Sequence, residues 1–188
     1  MFINNKKMRE TVSVRLGLFF IVTLVAFLAG CSVISAQKGA SFSSGRWMVL
    51  PFQNYSQNPR AGEQVEELVA TLLRVRGITD LDVYQQPDED RSGLLEFNDR
   101  RRLEKALSTA VKSNVSYAIT GSVDEWQYKL GVGSEPAVGL TLRIIEVSSG
   151  KVVWSGSGAR SGWSAASLSG TAQKLVKELI SSIEIAKS

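Results

Sequence analysis

The sequence predicts an α/β domain in which a mixed five-stranded sheet is covered by three helices. In chain order, its apolar residues follow the patterns of a strand, a helix, a strand, a helix, three strands and a final helix. Helices placed between strands favour a sheet with helices packed on it, because both must bury their apolar faces. The link Ser148-Ser149-Gly150 is typical of an antiparallel hairpin between two of the last three strands.

The first strand and the first helix begin the predicted domain. Residues 46–52 (RWMVLPF) are rich in strand formers, and Pro51 favours a strand that continues into a loop. Asn58-Pro59 then predicts a helix start, with an N-cap followed by proline at the first helical position. The helix is expected to end at Gly77, and its buried stripe consists of Val65, Leu68, Val69, Leu72 and Leu73.

The remaining elements follow the same logic. A short strand over residues 81–84 precedes an acidic loop, and Asn98 is the predicted cap of a second helix. Three long strands are expected over residues 116–130, 137–147 and 151–159. The buried stripes of the second and last helices are Leu103, Ala106, Leu107, Ala110 and Val111, and Leu168, Ala172, Leu175, Val176, Leu179, Ile180 and Ile183.

A lipoprotein signal is predicted before the domain. An apolar run from Leu16 to Leu28 follows a basic segment and leads through Ala29-Gly30 into Cys31, which gives the layout of a lipobox. The run is shorter than the ~20 residues that a bilayer-spanning helix needs, so a cleaved signal is favoured over an anchor. We expect residues 1–30 to be a signal peptide, starting at Met1 or Met8, and Cys31 to be lipidated.

The domain boundaries follow from composition. Residues 31–45 are small and polar without a sustained period, and they predict a lipidated tether. Residues 46–188 are expected to form a single α/β domain, since they are too few for two comfortable ones. Ser32 occupies the position where an aspartate would retain a lipoprotein in the inner membrane. The expected location is therefore the periplasmic face of the outer membrane.

The composition argues against most enzymes and against a nucleic-acid partner. The chain has no histidine and one cysteine, which removes the usual general base, the histidine-dependent triads and most zinc sites. The first 30 residues hold four of the 22 Lys and Arg and one of the 18 Asp and Glu, so the mature chain is nearly neutral. We expect no catalytic residues, no cofactor and no metal.

Several motifs of the mature chain resemble those of the PelC family of outer-membrane lipoproteins. The lipobox, PRAGE, TGSVDEW, SEPAVGL and SGWS occur in this order, and the combination is far more specific than any single motif. Two departures are serine in SEPAVGL, where the family has glycine, and the long region before the signal. The resemblance implies a fold similar to the N-terminal domain of TolB and to the periplasmic domain of the curli secretion pore, assembled into a twelve-membered ring.

The resemblance also implies a function in Pel exopolysaccharide export, and so in biofilm formation. The homo-oligomeric ring would lie beneath the outer membrane, anchored by acyl chains such as palmitate on Cys31. It would collect a cationic, partly deacetylated amino-sugar polymer and pass it to the outer-membrane Pel porin. Such a conduit needs no catalytic residue.

Trp163 is the predicted membrane-contacting residue. It lies in the glycine- and serine-rich loop before the last helix, where few sequence neighbours can pack against it. An indole suits the headgroup region, and in the family this tryptophan resembles a member of an aromatic belt. The alternative is that Trp163 folds back onto its own domain, because tryptophans are usually highly buried.

Acidic residues are the candidate polymer-guiding groups. Asp124 and Glu125 lie within a predicted strand, where alternation places Asp124 on the face of Trp126 and Glu125 on the opposite face. Repeated around a ring, either carboxylate would favour cations. The alternative is an ordinary ion pair with Lys129 or Arg143. The loop acids are a second candidate set and comprise Asp88, Glu89 and Asp90.

Two other classes of function compete with the conduit. A tethered regulatory lipoprotein could bind a periplasmic envelope enzyme as a monomer, although a short tether argues against reaching across the periplasm. A hydrolase could use a carboxylate pair without histidine. The opposite faces expected for Asp124 and Glu125 argue against that hydrolase.

Overall fold

A computed structural model of the chain describes residues 32–43, 45–85, 95–130, 134–163 and 165–186, with the backbone alone at 95–99. Ser32–Ser188 forms one unit of structure. Cys31 and the loop acids Asp88, Glu89 and Asp90 lie outside the described residues. No position or contact is therefore assigned to these four side chains.

The described residues form a mixed six-stranded sheet, a small second sheet and three helices. The large sheet has the order β1-β7-β6-β5-β3-β4, and β2 pairs in parallel with β8. Within the large sheet β3 is parallel to β4 and β5, and the other pairs are antiparallel. The elements are β1 Ser32–Ala36, β2 Ala40–Phe42, β3 Trp47–Asn54, α1 Ala61–Val75, β4 Leu81–Val83, α2 Leu95–Lys112, β5 Tyr117–Lys129, β6 Glu135–Glu146, β7 Lys151–Ser161, α3 Leu168–Ile180 and β8 Ile183–Ile185.

The two faces of the sheet carry separate apolar cores. The larger core holds Val49 of β3 together with the buried stripes of α1 and α3. The smaller one lies on the opposite face, where Met48 and Leu50 of the same strand pack against Ala106 and Ala110 of α2. Because alternate residues of a strand point to opposite faces, β3 is apolar and buried on both sides from Trp47 to Phe52. This arrangement confirms the predicted fold class.

The prediction of a tether over residues 31–45 is wrong for residues 32–36 and 40–42, which form strands. Residues 32–36 form β1 at the edge of the large sheet, and residues 40–42 form β2. The large sheet therefore has six strands rather than five. Phe42 also belongs to the larger core, with its ring centroid 5.5 Å from that of Trp47. Chain from Ser32 onward is thus built into the domain.

Long-range contacts hold β1 in the large sheet. Its partner strand β7 carries Gly158, where a Cβ atom would lie 2.9 Å from the carbonyl oxygen of Val33 and 3.1 Å from Cγ1 of Ile34. The buried Trp154 of the same strand donates its indole N–H to the carbonyl oxygen of Gln37 at 2.9 Å. None of these partners is close in sequence, so local patterning does not reveal the strand.

Two predicted helix starts are corrected. The first helix begins at Ala61, and its N-cap Arg60 makes no capping bond through its side chain. Asn58 instead closes the preceding turn, since its side-chain oxygen accepts a hydrogen bond from the amide of Arg60 at 3.1 Å. The second helix begins at Leu95, so Asn98 lies inside it rather than at its cap. Sequence patterns locate such boundaries only to within a few residues.

Candidate functional site

One end of the large sheet brings together segments that are distant in sequence. Tyr128 of β5 and Pro136 of β6 are paired at this end. Ser32 of β1 and Arg160 of β7 are also paired there. We call this edge, where β5 and β7 end and β1 and β6 begin, the hairpin end. The sheet thus fixes the position of Ser32, the residue that follows Cys31 in the sequence.

Trp163 lies in the loop that leaves the hairpin end. The amide of Gly162 donates to the carbonyl oxygen of Pro136 at 2.8 Å, and the amide of Ala166 donates to the carbonyl oxygen of Trp163 at 2.7 Å. These bonds hold the loop against the hairpin, while the Trp163 side chain remains 56% exposed. Trp163 is therefore presented outward and is not packed into its own domain.

A bulge in β5 sets the positions of the two strand carboxylates. The pairing of β5 with β6 shifts by one residue between Val123 and Glu125, which leaves Asp124 as the extra residue. A Cβ atom on Gly139 of β6 would lie 3.3 Å from Cβ of Glu125 and 3.7 Å from Cβ of Asp124. Both carboxylates therefore stand over Gly139 on the same face of the sheet.

This arrangement corrects the predicted alternation of faces. Trp126 is buried in the larger core, on the opposite face from Asp124. A bulge inserts one residue into a strand and resets its alternation, so simple counting fails beyond that point. The local signal in the sequence is weak, since it consists of two adjacent carboxylates in the middle of a long strand.

The two carboxylates differ in their partners. Glu125 forms an ion pair with Lys129 at 3.1 Å and accepts a hydrogen bond from Gln127 at 3.0 Å. Burial acts to raise the pKa of Glu125, but the hydrogen bonds from Gln127 and Lys129 and the lysine charge outweigh it, so the pKa is lowered. Asp124 is exposed and accepts hydrogen bonds from the Ser122 hydroxyl at 2.9 Å and the Thr141 hydroxyl at 3.2 Å.

A buried ion pair joins the first two helices and was not anticipated. Glu66 of α1 is buried and Arg102 of α2 is 14% exposed, with Nη2 of the arginine and Oε2 of the glutamate at 2.9 Å. Oε1 of Glu66 also accepts the backbone amide of Phe52 at 3.0 Å. Burial raises the pKa of Glu66, and the arginine and the amide offset this only in part. In the sequence both residues belong to charged clusters that predict solvated helix faces.

The described residues show neither a metal cluster nor a membrane-spanning helix. Within the described ranges, His, Cys, Asp and Glu nowhere form a group of three that could hold a metal ion. Of the described helices, none is long and apolar enough to cross a membrane.

Solved structures of PelC from Paraburkholderia phytofirmans are similar to this chain. A dodecamer of a single-substitution PelC variant matches with a TM-score of 0.70 at 33% identity, covering 83% of this chain and 100% of that one. A second PelC dodecamer from the same organism gives a TM-score of 0.68 with the same identity and coverage. No protein-family model matches the chain, and no curated protein sequence matches it significantly.

A more distant neighbour is the lipoprotein GNA1162 from Neisseria meningitidis. It has a TM-score of 0.49 at 19% identity and covers 76% of this chain and 96% of its own. That level of similarity carries no argument about function. The PelC structures are different, because one third of their residues are identical over their whole length. On that ground, this chain belongs to the PelC family of lipoproteins.

Proposed function

We propose that this protein is an outer-membrane lipoprotein that assembles into a periplasmic ring and guides a cationic exopolysaccharide to a separate Pel porin. The observation that carries the proposal is the match to PelC dodecamers over their full length. The subunits of a ring present each surface group many times around one axis. Small local charges thereby become a continuous field at the centre.

The lipid anchor is assigned to Cys31, with residues 1–30 as the signal peptide and residues 31–188 as the mature chain. Several acyl chains on each of many subunits give nearly irreversible membrane binding. Ser32 at the following position is compatible with sorting to the outer membrane. Ser32 itself pairs with Arg160 in the large sheet, so the chain is part of the domain from the residue after the proposed anchor onward.

Trp163 is proposed as a membrane contact. Its exposure supports this role, and it lies three residues beyond Arg160, the partner of Ser32 in β1. Indoles prefer the boundary between acyl chains and water. Cys31 and Trp163 would thus hold each subunit in one orientation, so that the acidic surface of the ring is presented to the periplasm.

Asp124 and Glu125 are the proposed polymer-guiding acids, and Asp124 is the stronger of the two. Glu125 already forms an ion pair with Lys129, whereas Asp124 makes no ion pair with any residue in the described ranges. A ring of such carboxylates attracts a polymer that carries ammonium groups. The loop acids Asp88, Glu89 and Asp90 remain part of the proposal, as additional negative charge at the entrance.

The proposed role is a scaffold without catalysis. Because the bulge puts Asp124 and Glu125 on one face, the argument from opposite faces no longer excludes a carboxylate-pair hydrolase. The electrostatics still disfavour one, since a general acid needs a raised pKa and that of Glu125 is lowered. The ion pair with Lys129 keeps this carboxyl group ionised.

Native mass spectrometry of the lipidated mature protein in detergent tests the proposal. We expect closed rings of many identical subunits. A spectrum that contains only monomers at every protein concentration would refute the conduit. Binding of chitosan oligosaccharides, a soluble and partly deacetylated amino-sugar probe, should accompany the ring and weaken as salt is added.

A further inference from the structure

Tyr55 is an exposed aromatic residue that the proposed function does not use. It follows the end of β3, and its side chain is 64% exposed. Its amide donates to the carbonyl oxygen of Val123 at 2.9 Å, and its hydroxyl donates to Oε1 of Gln53 at 2.9 Å. A ring that is held at both of these points and still faces solvent loses little conformational freedom when another molecule binds to it.

Tyr55 lies on the same face of the sheet as Asp124. Gln53 of β3 is paired with Ser122 of β5, so the side chains of these two residues point to one face. Gln53 accepts the hydrogen bond from the Tyr55 hydroxyl, and the Ser122 hydroxyl donates to Oδ1 of Asp124 at 2.9 Å. Because neighbouring strands lie about 4.8 Å apart, a molecule the size of one or two sugar residues can contact both the ring and the carboxylate.

The neighbouring strands present small side chains on this face. Thr141 of β6 donates its hydroxyl to Oδ2 of Asp124 at 3.2 Å, and Ser157 of β7 is the exposed strand partner of Thr141. Gly139 of β6 has no side chain beneath the carboxylates of the bulge. These small residues leave room for an extended polymer to cross the strands from Tyr55 towards β7.

The ring and the carboxylate suit different parts of an amino sugar. Asp124 makes no ion pair within the described residues, so it is available to bind an ammonium group through a charge-assisted hydrogen bond. The faces of a tyrosine ring are apolar and electron-rich, and the C–H bonds on one side of a pyranose ring can pack against them. The same faces attract an ammonium group that lies above them.

We propose that Tyr55 is a stacking platform for one sugar ring of the exported polymer, beside the ammonium group that Asp124 binds. The inference rests on the proposed function, because it takes a cationic amino-sugar polymer as the ligand of this face. Tyr55 recognises the saccharide, and Asp124 recognises its charge. Carboxylates alone would bind any polycation, so the aromatic ring makes the surface selective for a sugar polymer.

Tyr128 is a matched control for Tyr55. Its side chain is 47% exposed, and it lies two residues beyond Trp126, which belongs to the larger core on the opposite face of the sheet. The Tyr128 hydroxyl accepts a hydrogen bond from the amide of Leu168 at 3.1 Å, at the start of α3 on that same opposite face. The sheet therefore separates Tyr128 from Asp124.

Saturation-transfer NMR tests the contact on the lipidated mature protein in detergent. The two probes are chito-oligosaccharides of equal length, one fully deacetylated and one fully acetylated. Protein protons are irradiated, and the signal lost by the C–H protons of the sugar reports their contact with the protein. Titration of this signal gives a Kd for each probe, and detergent micelles without protein give the background.

We expect Tyr55→Leu to raise the Kd of both probes several-fold, because both carry the C–H bonds that pack on the ring. Tyr55→Phe keeps the ring, so it should bind both probes within about twofold of the unaltered protein. Asp124→Asn should weaken binding of the deacetylated probe alone, since only that probe carries ammonium groups. Tyr128→Leu should bind both probes as the unaltered protein does.

The other outcomes separate this inference from the proposed function. Unchanged Kd values in Tyr55→Leu, together with weaker binding of the deacetylated probe by Asp124→Asn, overturn the platform and leave the proposed function intact. Binding of the deacetylated probe alone by the unaltered protein also overturns the platform, because charge then accounts for the affinity. If the unaltered protein binds neither probe, the inference and the polymer-guiding role both fail.

Native mass spectrometry of the same variants checks the remaining explanation for the exposure of Tyr55. If Tyr55→Leu no longer assembles while Tyr128→Leu does, Tyr55 contacts a neighbouring subunit, and the inference is overturned. Assembly of Tyr55→Leu into the same oligomer as the unaltered protein, with weaker binding of both probes, supports the platform.

Discussion

Ser32 lies opposite Arg160 in the antiparallel pairing of β1 and β7. The first residue after the predicted acylation site is therefore part of the sheet. From Ser32 onward, hydrogen bonds along an edge strand hold the chain to the domain. The proposed contact of Trp163 with lipid and the proposed orientation of the acidic face both depend on this pairing.

A substitution in β7 that disrupts the pairing of β1 should make residues 32–36 more mobile. In Gly158→Val the new side chain meets the carbonyl oxygen of Val33, so we expect faster amide hydrogen exchange in residues 32–36. Overpacking of this kind costs about 1–3 kcal/mol in the free energy of unfolding. Ala159→Val, an exposed position on the same strand, is the control and should change stability by less than about 0.5 kcal/mol. Unchanged exchange in Gly158→Val would contradict this account of the strand.

Replacing Trp163 should impair export and leave the fold intact. The side chain of Trp163 is more than half exposed, so Trp163→Ala is expected to change the free energy of unfolding by less than about 0.5 kcal/mol. Secreted Pel polysaccharide should nevertheless fall several-fold, because the variant lacks the indole that we propose as the membrane contact orienting each subunit. Val152→Ala removes an exposed apolar side chain at the other end of the sheet and should secrete normally. Normal secretion by Trp163→Ala would show that export does not need the indole.

Neutralising Asp124 should weaken capture of a cationic polymer. Asp124→Asn preserves shape and removes one negative charge from each subunit, so we expect weaker binding of chitosan oligosaccharides and a shallower salt dependence. Glu125→Gln should have a smaller effect on direct binding, since that carboxylate is already paired with Lys129. Asp80→Asn, an exposed aspartate outside the bulge, is the control for net charge. Equal binding by the Asp124 and Asp80 variants would dismiss Asp124 as a polymer-guiding residue.

The buried pair of Glu66 and Arg102 should govern the pH dependence of stability. Arg102→Met leaves the Glu66 carboxylate buried without its cation, which costs about 3–5 kcal/mol at neutral pH. Burial raises the pKa of Glu66 above its unfolded value, so the folded state binds the proton more tightly. The stability of this variant should therefore increase as the pH falls through the raised pKa, and decrease again as the pH rises.

Urea unfolding at several pH values measures this effect. The double variant Glu66→Gln and Arg102→Met retains an acceptor for the amide of Phe52 and has no carboxylate to titrate at this position. It should be more stable than Arg102→Met at neutral pH and should lack the contribution of Glu66 to the pH dependence. If Arg102→Met instead lost stability on acidification, Glu66 would not be the group that sets the pH dependence of its stability.

Much of the architecture could be predicted because it rests on local periodicity. In the first helix Val65, Val69, Leu72 and Leu73 are buried as expected, and in the last helix the expected residues from Ala172 to Ile180 are buried, whereas Ile183 belongs to β8. The three long strands lie where alternation and the Ser-Ser-Gly turn predicted them. The motif order gave the family, which the PelC structures confirm. The exposure of Trp163 was predictable because a tryptophan in a small-residue loop has no local packing partner.

The sequence by itself determined the fold class, the family and the identity of the candidate residues, since periodicity and motifs are properties of neighbouring residues. Only the tertiary structure decided that residues 32–36 form an edge strand, that Glu66 meets Arg102, and that Asp124 and Glu125 share a face. Each of these depends on a partner far away in the chain or on a one-residue shift in strand pairing. Such contacts leave no periodic signal in the residues that make them.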